Sequence, residues 1–401
     1  MIYPLKVSEN NRYFVDQEGN PYLVFADTGW MLFSYISKED AKFYIEERFK
    51  QGINSILCYA TPFKIDRANT EGNKPFLNED ILTPNEKYFA NVDWIINKAV
   101  EYGMQVIICP AEMDNYKSYF TLENAMESGR YMGNRYKDFA NIMWFVGGDL
   151  NPTETEMAVA NALISGLREY DSNHIISFHP RGAVSKKYFY QEMQDIEYRM
   201  VHVHSPSSHL NYSLITEDYE LEPTMPTILA EPCYEDDEQN TNFQIRMACL
   251  WGFLSGAAGI AYGNLIVYNF GVNETIDWKP YLDHPALLQI KNFVDLIGSR
   301  EWAKLVPSND LIIEGRGTLG ELDYGVAQIA FDGSFAVCYI PTSREIKIDM
   351  SLFDSGKTIC WFDPTKIEFK VVNQYPNTGI LVLPAQPKNA EEQHDWVLII
   401  E

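Results

Sequence analysis

The sequence predicts an α/β protein in which a (β/α)8 TIM barrel is followed by a small C-terminal β-sandwich. Three observations support this fold class. Short apolar runs alternate with helical patterns through most of the 401 residues, two of those runs end directly in a carboxylate, and only short alternating runs remain near the C terminus. Strands that alternate with helices form βαβ units in a parallel sheet. Eight such strands favour a closed barrel over an open sheet.

The N-terminal segment predicts a β-hairpin. Residues 12–15 and 22–25 have strand-like composition, and they flank a Gly-containing turn. The second arm continues to Asp27, so we count it as the first barrel strand. Ser37 is then placed as a helix N-cap, and Gly52 ends the helix that it opens.

The same alternation of strand and helix continues along the chain. The further predicted barrel strands are residues 53–59, 105–109, 142–146, 175–179, 200–204, 227–230 and 259–262. The further predicted helices are residues 89–102, 121–139, 154–170, 242–254 and 285–297. The pattern therefore predicts eight parallel strands whose carboxyl ends meet on one rim of the barrel.

The clearest strand-to-helix transition follows the strand at residues 142–146. This run is rich in β-branched and aromatic residues, two glycines end it, and Asp149 follows at once. Thr153 and Glu156 have the spacing of a capping box that opens the next helix. A barrel places catalytic groups on its rim in this way. The alternative is that Asp149 only caps the turn.

The C-terminal part of the chain has a different pattern. From about residue 309, short alternating runs are separated by turn residues, which is typical of a β-sandwich. The predicted strands are residues 311–313, 325–331, 334–340, 345–348, 358–362, 368–372, 380–383 and 396–400. We predict two domains: residues 1–304, the catalytic barrel with its N-terminal hairpin, and residues 305–401, the sandwich.

The charge balance excludes some classes of partner. Lys and Arg total 32 against 56 Asp and Glu, which gives a formal net charge of −24. Nucleic acids and anionic membrane surfaces require basic patches, so we expect neither as a partner. The same charge disfavours a polyanionic substrate unless basic residues cluster locally.

No targeting or membrane signal is visible in the sequence. No run approaches the ~18 apolar residues of a membrane span, and the N terminus shows no apolar signal-peptide segment. The sequence as given predicts a cytoplasmic protein, or a secreted or periplasmic one if its N terminus was trimmed. The oligomeric state is left open.

The six cysteines show no CxxC spacing. We predict that they are small apolar core residues rather than a disulfide framework. The chain also has no GxGxxG or P-loop motif, which argues against a nucleotide-binding fold. We predict no cofactor and no bound metal.

Two carboxylates stand at the ends of predicted strands four and seven. Asp149 follows strand four, and Glu231 follows the apolar run at residues 227–230. These strands lie on opposite sides of an eight-stranded barrel, so the two acids face each other across its opening. Two carboxylates in this arrangement suit the hydrolysis of a glycosidic bond. Alternatively, both acids are solvated loop residues.

The histidines leave a second hypothesis open. His202 and His204 form an HxH pair, and His179 ends the neighbouring strand. Together with Asp27 they could bind a metal ion. Alternate residues of a strand share a face, however, so we prefer the interpretation that residues such as His204 bind substrate hydroxyls or orient Glu231.

Six segments of the chain together resemble the apiosidase-like glycoside hydrolases. These segments are Asp27-Thr28-Gly29-Trp30, Phe89-Ala90-Asn91-Val92-Asp93-Trp94, Trp144-Phe145-Val146-Gly147-Gly148-Asp149, Phe178-His179-Pro180-Arg181-Gly182, Ala230-Glu231-Pro232-Cys233-Tyr234-Glu235 and Ala261-Tyr262-Gly263. They cover nearly the whole predicted barrel in the family's order. The family combines a (β/α)8 barrel with, in many members, a C-terminal β-sandwich of the collagen-binding type.

The resemblance assigns roles to individual residues. It implies that Asp149 is the general acid/base, that Glu231 is the nucleophile, and that plant cell-wall glycans are the substrates, with apiose-containing pectin side chains as the characterised case. The sugar site that it implies is lined by Asp27, Trp30, His179, Arg181 and Tyr262.

The sequence departs from the family pattern in two places. The wider clan has Asn before the acid/base, and Gly148 stands here. The segment Pro110-Ala111-Glu112-Met113-Asp114 replaces the family's Trp-Gly-Asp-like segment after strand three.

We therefore predict a glycosidase of the O-glycosyl hydrolase class that acts on an oligosaccharide or polysaccharide of plant type by a retaining double displacement. This mechanism requires a protonated Asp149, and we expect the Glu231 charge and the apolar flank of Trp144 or Phe145 to raise its pKa. The alternatives are a barrel that binds carbohydrate without turnover and a metal-dependent hydrolase.

Overall fold

A computed structural model describes residues 3–182, 187–203, 210–273 and 275–401, and within it the side chains of residues 187–189 are not described. The strands that precede the C-terminal part are β1 (Lys6–Val7), β2 (Phe14–Val15), β3 (Pro21–Tyr22), β4 (Val24–Thr28), β5 (Ser55–Tyr59), β6 (Gln105–Cys109), β7 (Ile142–Leu150), β8 (Ile176–Pro180), β9 (Tyr198–His202), β10 (Thr227–Glu231) and β11 (Gly259–Tyr262). The remaining strands are β12 (Leu305–Pro307), β13 (Ile312–Glu314), β14 (Val326–Ala330), β15 (Ala336–Ile340), β16 (Ile346–Asp349), β17 (Lys357–Asp363), β18 (Glu368–Tyr375), β19 (Ile380–Leu383) and β20 (Trp396–Ile400). The α-helices are α1 (Lys38–Lys50), α2 (Glu86–Glu101), α3 (Met113–Tyr116), α4 (Leu122–Tyr136), α5 (Glu154–Tyr170), α6 (Lys187–Glu192), α7 (Leu210–Glu220), α8 (Asn242–Leu254) and α9 (Pro285–Gly298).

The chain forms two compact units. The first contains Met1–His204, Leu221–Asp237 and Ala258–Leu282, and the second contains Ser205–Glu220, Glu238–Ala257 and Asp283–Glu401. These units divide the chain differently from the two predicted domains, because α7, α8 and α9 belong to the second unit. The domain division at residues 304 and 305 stays a prediction of the sequence pattern. None of the described helices is long and apolar enough to span a bilayer.

The first unit is built on a closed barrel of eight parallel strands, β4 to β11, in which β10 pairs with β9 and β11, and β11 pairs with β4. Seven of the eight strands are buried at every position, and in β7 the one exposed position is Asp149. Strands buried on both faces read as continuous apolar runs, which is why the sequence pattern revealed them. The predicted fold class is confirmed.

The N terminus differs from the predicted hairpin. β1, β2 and β3 form a three-stranded antiparallel sheet, and the chain enters the barrel only at β4. The predicted second arm at residues 22–25 is therefore split: Tyr22 belongs to the small sheet, whereas Val24 begins the first barrel strand.

Helices α4 and α5 approach each other unusually closely. A Cβ atom built on Gly129 would lie 2.3 Å from the carbonyl oxygen of Leu163, and one on Gly166 would lie 2.1 Å from that of Met126. Glycine at these positions lets the two backbones touch. The exposed flank of the contact is closed by Arg130, which makes two hydrogen bonds with Glu169.

The second unit contains two antiparallel sheets. One has the order β12-β14-β15-β20-β17-β18, and the other has the order β13-β16-β19. Their buried side chains form one apolar core, which includes Trp361 and Trp396. The sequence pattern predicted all of these strands except β12, with ends that differ by a few residues.

A buried ion pair joins α8 to the C-terminal strand segment within the second unit. Arg246 Nε lies 2.9 Å from Asp395 Oδ2, and its Nη2 lies 2.8 Å from Asp395 Oδ1. Neither side chain is exposed. Such a bidentate pair is stable only when both charges are present, because a lone buried charge is costly.

The α4–α5 contact yields a test of the packing. We expect Gly129→Ala to lower the free energy of unfolding by about 1–3 kcal/mol, since the added methyl group collides with a backbone that cannot move away easily. Urea denaturation measures this change. Gly298→Ala in α9 is the matched control, because nothing lies within 4 Å of its Cβ position. An unchanged denaturation midpoint for Gly129→Ala would show that the two helices are not held at this distance.

Candidate active site

Four neighbouring barrel strands each place one polar side chain at the same point. Asp149 comes from β7, His179 from β8, His202 from β9 and Glu231 from β10. One donor or acceptor atom from each of the four residues lies within 4.8 Å of those of the other three. Because the carboxyl ends of parallel barrel strands converge on one rim, residues far apart in sequence form a single cluster here.

Asp149 owes its position to an irregular strand end. Gly147, Gly148 and Asp149 have φ values of +96°, +86° and +48°. The pairing of β7 with β8 shifts register between Gly147 and Leu150. A bulge of this kind re-aims a side chain at the end of a strand. The side chain of Asp149 is 51% exposed and lines a cleft, although β7 continues to Leu150 rather than ending at residue 146 as predicted.

Two imidazoles lie between the carboxylates. His202 Nδ1 is 2.9 Å from Asp149 Oδ1 and 3.5 Å from Glu231 Oε2. His179 Nε2 lies 3.7 Å from the same Glu231 oxygen. The two rings lie 5.4 Å apart. His202 thus contacts both acids, and it fixes their relative position.

Glu231 is held from its other side by a chain of aromatic donors. The Tyr234 hydroxyl donates to Glu231 Oε1 at 2.6 Å, and Trp30 Nε1 donates to that hydroxyl at 2.7 Å. Trp30 stacks on Tyr59 at a centroid distance of 4.9 Å. Only 8% of Glu231 is exposed, so this carboxylate is both buried and oriented.

The expected rise in the pKa of Asp149 is wrong for this structure. Burial of Asp149 raises its pKa, because it disfavours the charged form. This effect is outweighed by the hydrogen bond and positive charge of His202 and by the charges of His179 and Arg181, which lower the pKa of Asp149 to about 2. The flanking aromatic residues do not act as expected either. Trp144 donates its Nε1 to Asp171, which caps the far end of α5.

A cleft of about 540 Å³ opens over the cluster. That volume is within the range of small-molecule sites. Of the predicted substrate-binding residues, Trp30 and Arg181 line it. The other lining residues include Tyr35, Tyr59, Phe63, Lys64, Arg67, Glu112, Asp114, Asn115, Tyr268 and Asn273.

Three predicted substrate-binding residues lie outside the cleft lining. Asp27 has no exposed surface; it accepts hydrogen bonds from Tyr44 and Arg48, both at 2.6 Å. Tyr262 is also buried and donates to Glu235 at 2.6 Å. These two residues build the support beneath the strand ends. His179 is buried beside Glu231, and the predicted residue His204 lies outside the described residues.

Sequence reasoning did not select two residues that the structure places in the cleft. The sequence pattern marks His202 only as part of an HxH pair, and the alternation of strand residues favours His204 as the substrate-binding residue. It marks Glu112 only as a departure from the family pattern. Its position directly after predicted strand three was a signal of the same kind as that of Asp149 and Glu231.

The four clustered residues are also the set of described side chains that could hold a metal ion. A tetrahedral zinc site brings each ligand atom to about 2.0–2.2 Å from the ion. Here His202 Nδ1 already contacts Asp149 directly, and Asp27, a predicted member of the metal set, is bound to Arg48. The donor set therefore allows a metal ion.

Family profiles match almost the whole chain. Residues 8–304 match the profile described as "Apiosidase-like, catalytic domain". Residues 306–401 match the profile described as "Putative collagen-binding domain of a collagenase". No curated protein sequence matches the chain.

Solved structures similar to this chain have the same fold. One, named only as a glycoside hydrolase, has a TM-score of 0.88 at 22% identity and covers 99% of this chain and 96% of its own. A glycoside hydrolase family 5 protein from Bacteroides vulgatus has a TM-score of 0.89 at 20% identity, with 99% and 93% covered. An endo-1,4-beta-mannanase from Rhizomucor miehei has a TM-score of 0.56 at 14% identity, with 74% and 99% covered.

The strand end of β7 yields a test of the site geometry. A Cβ atom on Gly148 would lie 2.7 Å from the Tyr59 hydroxyl and 2.9 Å from Glu112 Cγ. We expect Gly148→Ala to displace Asp149 and to lengthen its 2.9 Å contact with His202, because the backbone must move. A crystal structure of the variant measures this distance.

Gly19→Ala is the matched control. Gly19 has the same φ of +86°, but nothing lies within 4 Å of its Cβ position. Gly19→Ala should lower the free energy of unfolding by about 1–2 kcal/mol through backbone strain alone. It should leave the Asp149–His202 contact unchanged. An unmoved Asp149 in Gly148→Ala would show that this contact does not depend on the glycine.

Proposed function

The chain belongs to the apiosidase-like family of glycoside hydrolases, and from this premise we propose that it cleaves the O-glycosidic bond of a plant-type glycan with retention of configuration. Glu231 is the nucleophile and Asp149 the acid/base in this proposal. The family assignment supports the glycosidase activity. The geometry of the four-residue cluster supports the two roles.

The separation of the carboxylates is the observation that carries the proposal. One carboxylate oxygen of Asp149 and one of Glu231 belong to a set of four atoms, one from each clustered residue, that lie within 4.8 Å of one another. Retaining glycosidases have carboxyl groups about 5–5.5 Å apart, whereas inverting enzymes need roughly 6.5–9.5 Å to admit a water molecule between acid and sugar. The short separation favours direct attack by one carboxylate.

The burial of Glu231 and the exposure of Asp149 support the two roles, and the lowered pKa of Asp149 requires that it gain its proton when substrate binds. Glu231 is buried and receives the Tyr234 hydrogen bond, which holds one oxygen and directs the other toward the cleft. It attacks the anomeric carbon as the glycosidic bond breaks, and Asp149 protonates the departing oxygen. Asp149 then removes a proton from the water that releases the sugar. Asp149 is half-exposed and so reaches both the leaving group and solvent.

Three cations in the cleft support an acidic glycan as substrate. Lys64, Arg67 and Arg181 line the cleft. Within the described residues none of the three forms an ion pair, and Arg67 lies 3.9 Å from the ring centroid of Tyr35. Most other cations of this acidic chain are paired with carboxylates. The cations supply the local basic cluster that a chain of net charge −24 needs to bind a polyanion.

The first test is substitution of the two carboxylates. We expect Glu231→Gln to lower kcat on an aryl glycoside by at least about 10³-fold, because no covalent intermediate can form. Asp149→Asn should lose about 10²–10⁴-fold on a phenyl glycoside but much less on a dinitrophenyl glycoside, whose leaving group needs no proton. A screen of aryl furanosides and pyranosides provides the substrate, and steady-state kinetics provides the rates.

Controls for this test address the two alternative functions. Asp114→Asn changes a cleft acid that is paired with Lys117 and should leave kcat near the wild-type value. Wild-type activity that survives a chelator would end the metal-dependent hypothesis. Sugar binding without turnover on any glycoside would favour the non-catalytic barrel and contradict the proposal.

The second test addresses the acidic substrate. We expect Arg181→Met to weaken binding of trigalacturonic acid by about 10-fold, since a charge-assisted contact is worth roughly 1.5–3 kcal/mol. Binding of the carboxyl-reduced, neutral trisaccharide should change little. Titration calorimetry on the Glu231→Gln background measures both. Equal losses for the two sugars would show that Arg181 does not recognise a carboxylate.

A further inference from the structure

Glu112 is a third carboxyl group in the cleft, and neither proposed catalytic step uses it. It follows β6, the strand that pairs with β7, and it lines the cleft together with Asp149 and Glu231. It is 3% exposed. A nearly buried carboxyl group that faces a substrate cleft needs an explanation, because burial of its charged form is costly.

The two oxygens of Glu112 have different surroundings. Oε2 accepts a hydrogen bond from the backbone N–H of Asn115 at 2.9 Å, so Glu112 caps the short helix α3. The Asn115 side chain also lies beside the carboxyl group. In the described part of the chain the geometric hydrogen bond is to Oε2, and no cation pairs with either oxygen. Asn115 therefore fixes the carboxyl group and leaves Oε1 for a ligand.

The end of β7 prevents Glu112 from turning away. The position that a Cβ atom of Gly148 would take lies 2.9 Å from Glu112 Cγ and 2.7 Å from the Tyr59 hydroxyl. Gly148 directly precedes Asp149, so the Glu112 side chain packs against the backbone that carries the proposed acid/base. Its carboxyl group is therefore held next to the sugar position.

The groups that face Glu112 favour its neutral form. Asp149 on β7 and Asp114 on its own segment are acids, and Tyr59, Tyr116 and Cys109 are neutral neighbours. Lys117 is paired with Asp114 instead. Burial, with a further contribution from the Asp149 charge, raises the pKa of Glu112 to about 7 against the opposing effect of the Asn115 N–H.

We propose that Glu112 is a specificity-determining residue that enters the cleft protonated and donates a hydrogen bond from Oε1 to a hydroxyl oxygen of the bound sugar. This inference rests on the proposed function, since it assigns a sugar to the cleft. The neutral acid can donate where a carboxylate can only accept. It also keeps a further negative charge away from an acidic glycan. Binding is therefore strong below neutral pH and weakens as the pH rises.

Titration calorimetry of trigalacturonic acid on the Glu231→Gln background tests this. His179 and His202 are further ionisable groups of the site, so the measured quantity is the ratio of Kd between pH 8.5 and pH 5.5, compared among variants. With Glu112 present, this ratio should exceed that of the Glu231→Gln/Glu112→Gln double variant by up to about 30-fold. The reason is that a group with a pKa near 7 is only a few per cent protonated at pH 8.5.

The variants separate hydrogen-bond donation from packing. Glu112→Gln keeps an N–H donor and should bind tightly at both pH values, whereas Glu112→Ala should bind weakly at both. Glu123→Gln, which changes an exposed acid in the first turn of α4 outside the cleft lining, is the matched control and should keep the pH dependence found with Glu112 present. An unchanged Kd ratio in Glu112→Gln, or no binding at pH 5.5 with Glu112 present, would overturn the proposal.

A second measurement needs no substrate. The carboxyl ¹³C resonance that disappears in Glu112→Gln should titrate near pH 7, and titration near pH 4 would overturn the proposal. Turnover is not involved in either experiment. Loss of the proposed function would appear instead as wild-type protein that binds sugar with this pH dependence but hydrolyses no glycoside.

Discussion

The contact of His202 with two carboxylates is the constraint on which the site depends. The imidazole lies 2.9 Å from Asp149 and 3.5 Å from Glu231, and these acids come from strands on either side of the β8–β9 pair. Without a proton-bearing group between them, two acids at this distance would repel each other. The histidine allows both to stay near one sugar position, and the barrel supplies the convergence that brings four strands to it.

Unequal surroundings give two acids of the cleft different properties. His202, His179 and Arg181 lower the pKa of Asp149 to about 2, whereas no cation among the described residues pairs with Glu112, and burial raises its pKa to about 7. The difference between the two pKa values arises from the neighbours of each side chain, since Asp149 and Glu112 lie at the ends of the neighbouring strands β7 and β6. Asp149 must gain a proton before it can act on a leaving group, and a bound acidic sugar that draws Arg181 away from it would raise its pKa.

Most of the barrel could be predicted from sequence because its strands are buried and mostly apolar and because helices such as α5 begin with recognisable caps, here at Thr153. Helix α7 was missed because its buried face includes polar residues such as Asn211 and Asp218, so no apolar period marks it. Strand-end position identified Asp149 and Glu231, but it does not determine where a side chain points. Asp27 stands in the same kind of position and binds Arg48 of the next helix instead, a long-range contact that no local pattern encodes.

The buried Arg246–Asp395 pair bears on the modularity of the chain. The two family profiles meet near residue 305, yet this guanidinium lies in the first profile and its carboxylate partner in the second. A gene fusion that exchanged the C-terminal segment for an unrelated one would leave Arg246 buried without its partner. This would lower the free energy of unfolding by roughly 3–5 kcal/mol. The segments are therefore not interchangeable cassettes, and any recombinant that keeps α8 must also inherit an acid at the position of Asp395.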